Sequence, residues 1–99
     1  MSVESNVDND VLKIKVRGRF DFNAHKEFRE AADKVVAGVK RIEVDLSNTD
    51  YLDSSALGML LLLRDKMSGN RDAVVIMGAA KDVKKILEIA NFNKLFTLT

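Results

Sequence analysis

YLDSSALGMLLLLR, residues 51–64, decides how this chain is read. An acid-serine-serine step leads straight into a block of apolar residues comprising Leu57, Met59, Leu60, Leu61, Leu62 and Leu63. A surface helix should alternate an apolar stripe with a polar face. Asp53 or Ser54 is the expected N-cap, because the first backbone N–H groups of a helix lack partners and a side-chain oxygen satisfies one of them. The helix then runs from about Ser54 to Met67, and Gly69 and Asn70 end it. So apolar a helix is either sandwiched between a sheet and another helix, or keeps Leu57, Leu61 and Arg64 as a docking face. A chain of 99 residues hardly buries every side of a helix, so both readings hold together.

Working outward, strands and helices alternate. VLKIKVR, 11–17, sets Leu12, Ile14 and Val16 against Lys13, Lys15 and Arg17, the pattern of a half-buried strand. VESNV, followed by the turn-like DND, is its expected hairpin partner. Asp21 or Asn23 caps a helix within residues 24–37, where Ala24, Phe28, Ala31, Val35 and Val36 recur at helical spacing and Gly38 is the expected stop. RIEVDL, 41–46, reads as a strand and SNTD, 47–50, as a loop. AVVIMG, 73–78, reads as a strand buried on both faces. KDVKKILEIANF, 81–92, reads as an amphipathic helix with Val83, Ile86, Leu87 and Ala90 inward, and KLFTLT as a last strand or a loosely packed tail. The expected fold is α/β, in the order β-β-α-β-α-β-α: a small mixed sheet of 4–5 strands flanked by 3–4 helices. No linker or repeat divides it, so residues 1–99 are read as one domain.

Composition narrows the function. Sixteen Lys and Arg against 15 Asp and Glu give a formal net charge of +1, with acids and bases interleaved, which argues against a nucleic-acid footprint. There is no cysteine, so neither a disulfide framework nor a cysteine-based metal or redox site is possible. The acidic start MSVESNVDND is unlike a secretory signal, and the apolar runs are too short to span a bilayer. A cytoplasmic protein without a membrane partner is expected. No Gly-rich phosphate loop or His/Cys cluster implies a cofactor or metal. His25, the one histidine, and the absence of Gly-x-Ser-x-Gly leave no nucleophilic constellation, so an enzyme is not expected. Asp21, Asp45, Asp50 and Asp53 are more simply caps and loop acids than a cation site.

Ser54 carries two readings. One is a helix cap. The other is a phosphorylation switch, since a phosphate of about −1.5 to −2 charge is tolerated at a helix N-terminus and would repel a partner docked there.

VDLSNTDYLDSSALGMLLLLRDKM, 44–67, resembles the signature of the STAS family, the anti-sigma factor antagonists of bacteria. GRFDFNA, 18–24, resembles that family's Gly-x-Leu-Asp segment, and AVVIMGAAKDVKKILEIANFNKLF, 73–96, its last strand and following helix. The resemblance implies a non-enzymatic binding protein. Its unphosphorylated form would bind an anti-sigma factor that is also a serine kinase and free a sigma factor. Phosphorylation at Ser54 would end the binding, and a PP2C-type phosphatase would restore it. It further implies a partner surface of Asp53, Ser55, Ala56 and Leu57, joined by Leu61 and Arg64 and rimmed by Asp21. Ala56 stands where the family often has Gly, and Phe20 where it usually has Leu or Ile. STAS-like domains also serve as accessory subunits of lipid-transport ABC complexes and as cytoplasmic parts of anion transporters. A constitutive subunit of the first kind is the alternative.

Overall fold

The computed structural model describes residues 2–35 and 38–99. A hairpin of β1 (Ser2–Asp8) and β2 (Val11–Phe20) turns at Asn9, whose φ of 58° is the left-handed conformation Asn tolerates. There follow α1 (His25–Ala32), β3 (Arg41–Leu52), α2 (Ser54–Lys66), β4 (Val74–Met77), α3 (Lys81–Ile89), a single turn α4 (Phe92–Leu95) and β5 (Thr97–Leu98). The five strands lie in sequence order; β1 and β2 are antiparallel and every later pair is parallel. The sheet is therefore mixed, as the early hairpin followed by alternating helices and strands predicts.

Each parallel connection steps one strand in the same direction. Right-handed crossovers then carry every helix to one face of the sheet. The core follows: Leu12, Ile14 and Val16 of β2 and Ile42, Val44 and Leu46 of β3 are buried in one cluster with Phe28 of α1, Leu60 and Leu63 of α2, and Leu87 of α3. The opposite face is a charged ladder. Lys13 and Lys15 of β2 pair in register with Glu43 and Asp45 of β3, and Lys15 faces Glu4 of β1 on its other side. In β4 all of Val74, Val75 and Ile76 are buried, as its unbroken apolar run requires.

Two expectations are corrected. The segment SNTD is not a loop, because β3 runs on to Leu52. The pairing with β2 slips between Lys15–Asp45 and Arg17–Asn48, so β3 carries an extra residue there. Ser47 N–H donates to Asp45 Oδ1 at 2.8 Å inside the bulge, and buried Thr49 donates its hydroxyl to the Val16 carbonyl at 2.8 Å just beyond it. Polar side chains thus replace ladder bonds, which is why a polar sequence remains a strand. Helix α1, expected to reach residue 37, ends at Ala32. Lys34 N–H and Val35 N–H close three-residue turns on Ala31 and Ala32, and the Lys34 ammonium reaches across to Ser5 Oγ at 2.7 Å. Val36 lies outside the described residues.

The inward stripe of α3 matches its sequence pattern, with Val83 and Leu87 buried and Ile86 and Ala90 packed at the core's edge, but the helix expected over 81–92 ends at Ile89 and Phe92 opens the separate turn α4. The tail pairs with β4 as a short final strand.

Candidate functional site

Strands β2 and β3 end side by side, Phe20 opposite Leu52. The Asp53 N–H donates to the Phe20 carbonyl at 3.3 Å, which ties the start of α2 to the loop after β2. Asp21 and Asp53 therefore stand on neighbouring strand ends, and each caps a helical turn. Asp21 accepts from Asn23 N–H at 3.0 Å, opening a 3₁₀ turn over Phe22–Ala24. Asp53, extended at φ −109°, accepts from Ala56 N–H at 2.9 Å and is the N-cap of α2.

That choice of cap frees Ser54. It is the first residue of α2 and is exposed, and its hydroxyl makes no hydrogen bond among the described residues. The backbone N–H groups of Ser54 and Ser55 and the helix dipole offer a favourable field for added negative charge. Ser55, half-buried, turns instead toward a groove between α1 and α2.

The apolar block of α2 is divided between the core and the surface. Ala56, Met59, Leu60 and Leu63 are buried, and Leu57 and Leu62 are half-buried against the core. Leu61 keeps 38% of its surface in solvent. Two positions expected on the partner surface are engaged within the domain. Ala56 is fully buried, because the i and i+4 geometry of α2 turns it with Leu60 onto the sheet, so it shapes a surface only from beneath. Arg64 donates from Nε to the Leu95 carbonyl at 3.3 Å and its guanidinium lies over Gly69, so it braces the carboxyl end of α2 against α4. The site thus gathers Asp21, Asp53, Ser54 and Ser55, with Leu57 and Leu61 along the same helix.

Other residues join it that the sequence reading did not single out. Phe22 is 68% exposed, and its ring stacks on His25 with centroids 5.9 Å apart. These two and Arg29 form one wall of a groove of about 410 Å³, while Ser55, Gly58 and Leu62 form the other. The signal for Phe22 was its position, outside the inward stripe of Ala24, Phe28 and Ala31. The signal for Gly58 was a glycine inside a helical run. On the outer side, Arg19 lies 4.2 Å from the Tyr51 ring centroid and 3.6 Å from Asp21 Oδ2.

The Asp45 carboxyl is shifted downward. Hydrogen bonds from the Ser47 hydroxyl and backbone N–H, with the Lys15 ammonium nearby and partial burial opposing, hold Asp45 below its ordinary 3.8. It sits at the β3 bulge and not beside Ser54. Asp21, Asp45, Asp50 and Asp53 do not form a metal-binding cluster among the described residues.

Residues 3–98 match the family model described as "Mlab, STAS domain". The chain belongs to the STAS-domain family. It is 48% identical over 92 residues to a STAS-domain containing protein of Pseudomonas aeruginosa, covering 93% of this chain and 91% of that protein. It is 24% identical over 96 residues to an anti-sigma-B factor antagonist of Staphylococcus aureus, covering 96% and 89%. Among solved structures, this STAS domain superposes on an anti-sigma factor antagonist from Mycobacterium paratuberculosis with TM-score 0.81 at 20% identity, over 98% of this chain and 83% of that one. It also superposes on the Bacillus cell fate determinant SpoIIAA in its phosphorylated form, with TM-score 0.75 at 14% identity, over 99% and 91%. No helix among the described residues of the STAS domain is long and apolar enough to cross a membrane.

Proposed function

We propose that this STAS domain is a phosphorylation-switched, non-enzymatic anti-sigma factor antagonist. Unmodified, it binds an anti-sigma factor that is also a serine kinase and so frees a sigma factor in the cytoplasm. Phosphorylation of Ser54 ends the binding, and a PP2C-type phosphatase restores it. The carrying observation is the division of labour at the start of α2: Asp53 holds the cap bond at 2.9 Å and leaves the Ser54 hydroxyl exposed for a kinase. The full-length likeness to a named anti-sigma-B factor antagonist, and a protein of this fold known in a phosphorylated form, support the same reading. A phosphate there meets helix N–H groups and remains compatible with the fold. It adds about two negative charges beside Asp53 and Asp21, where a partner would dock.

The test is intact-mass and phosphopeptide analysis of the protein isolated from its own cells, with Ser54→Ala as control. One phosphate on Ser54, absent from the variant, is the expected result. Ser54→Ala should then stay constitutively bound to the anti-sigma partner, and Ser54→Asp should bind it weakly while remaining folded. An unmodified protein under every growth condition, with phosphatases inhibited, would return Ser54 to a plain position on α2. The second reading is a constitutive accessory subunit of a lipid-transport ABC complex. Membership of the STAS-domain family, whose resemblance implies such subunits as well as antagonists, keeps it in view. In that case Ser54→Ala and Ser54→Asp should both behave as wild type.

A further inference from the structure

Gly58 sits in the middle of α2, where glycine is about 1 kcal/mol worse than alanine. The fold gives no return for that cost. Its backbone is not in the left-handed region, and a Cβ built on it meets nothing within 4 Å. The missing side chain instead opens the floor of the groove between α1 and α2, beside Leu62 and opposite the exposed ring of Phe22. The groove's polar lining is one-sided. Arg29 and His25 supply donors, no carboxylate lines the groove, and Arg29 forms no ion pair among the described residues.

From these observations we infer that the groove over Gly58 receives an acidic amphipathic helix of the partner protein. A large apolar side chain of that helix fills the gap above Gly58 against Phe22 and Leu62, and a flanking Glu or Asp pairs with Arg29. A groove between two helices suits a helical guest, whose anchors recur every three or four residues. An acidic guest is also what a phosphate on Ser54, a few residues along α2, would repel. The inference rests on the proposed function in taking α2 as the partner face, and it adds the chemistry of the guest and names Gly58 and Arg29 as its specificity determinants.

The test is a display selection of helical peptides from a randomised library on the whole protein, with Gly58→Ala, Gly58→Leu and Arg29→Glu as counter-targets. Enriched peptides should be acidic and carry a large apolar residue at a fixed position. They should shift the amide resonances of Gly58 and Arg29, and lose about tenfold or more in affinity for Gly58→Leu and Arg29→Glu. Gly58→Ala should raise the unfolding midpoint by about 4–8 °C while weakening the same peptides. A glycine needed by the fold would instead lower the midpoint. Basic peptides, no enrichment over the starting library, or binding indifferent to Gly58→Leu would each overturn the inference. The switch is judged separately, by presenting the selected peptides to the Ser54-phosphorylated protein. Equal binding there would sink the switch and leave the groove standing. A phosphate-sensitive partner that ignores Gly58→Leu would do the reverse.

Discussion

Asp53→Ala tests the idea that the whole site depends on which residue caps α2. The wild-type carboxylate accepts from Ala56 N–H at 2.9 Å, and Ala56 is fully buried, so water has little access to that donor once the carboxylate is gone. Losing a cap costs about 0.5–2 kcal/mol, and an unsatisfied buried donor about 1–3 kcal/mol. These describe the same event and do not add, so the expected loss is about 1–2 kcal/mol. For a domain of this size that lowers the midpoint by about 4–16 °C. The Asp53 carbonyl accepts from Leu57 N–H at 3.2 Å, a backbone bond that neither substitution removes, so the comparison isolates the side chain. Asp53→Asn keeps an acceptor oxygen and loses only the charge against the helix dipole, about 0.3–1 kcal/mol. Urea unfolding followed by circular dichroism should therefore rank wild type above Asp53→Asn above Asp53→Ala. If Asp53→Ala unfolds within about 0.3 kcal/mol of wild type, the reasoning fails: Ser54 then caps as well as Asp53 does, and nothing in the cap explains why its hydroxyl is free.

Three further outcomes are expected. Thr49→Val, isosteric but without the hydroxyl bonded to the Val16 carbonyl at 2.8 Å, should lose about 1–3 kcal/mol in denaturant melts, and Thr49→Ser should lose less. Gly78→Ala should cost at least about 1–2 kcal/mol, because its φ is +74° and the new Cβ would lie 3.0 Å from Ser47 Cβ; a melt matching wild type would contradict this. The Asp45 carboxyl is held below its ordinary 3.8, so the unfolded chain takes up that proton first as pH falls. Its contribution is therefore complete above about pH 4 and fades as the solution is acidified through the lowered native value, and stability measured from pH 6 to 2 should fall less steeply in Asp45→Asn.

Periodicity carries the fold only where one face is wet and the other dry. Leu12, Ile14 and Val16 alternate with charges, so β2 was legible; Val83 and Leu87 recur at helical spacing, so α3 was as well. The end of β3 was not, since Ser47, Asn48 and Asp50 are turn-forming types and the bonds that keep them extended come from the β2 carbonyl ladder and Thr49, partners distant in sequence. At the site, the Asp-Ser-Ser step pointed to a helix start, but Asp53 and Ser54 are equally good caps by type. Only the extended φ of Asp53, set by its bond to the Phe20 carbonyl, decides between them. The setting of Arg64 was hidden for a related reason: spacing on α2 places it near Leu57 and Leu61, and its engagement with Leu95 depends on how the chain returns 31 residues later.

A phosphate switch on a small domain has to alter recognition without unfolding the domain that carries it. On the function proposed above, the architecture meets that demand by separating two jobs that lie one residue apart. Asp53 satisfies the buried amide of Ala56 and fixes where α2 begins, while Ser54 stands outside the core and outside the cap bond. Charge added to Ser54 meets the dipole of a helix whose inner face, through Leu60 and Leu63, is already anchored in the core. The helix would therefore gain rather than lose from the proposed modification. The cost falls on whatever approaches Asp21, Asp53 and the groove beyond Ser55, and an acidic guest on Arg29 would bear the most of it.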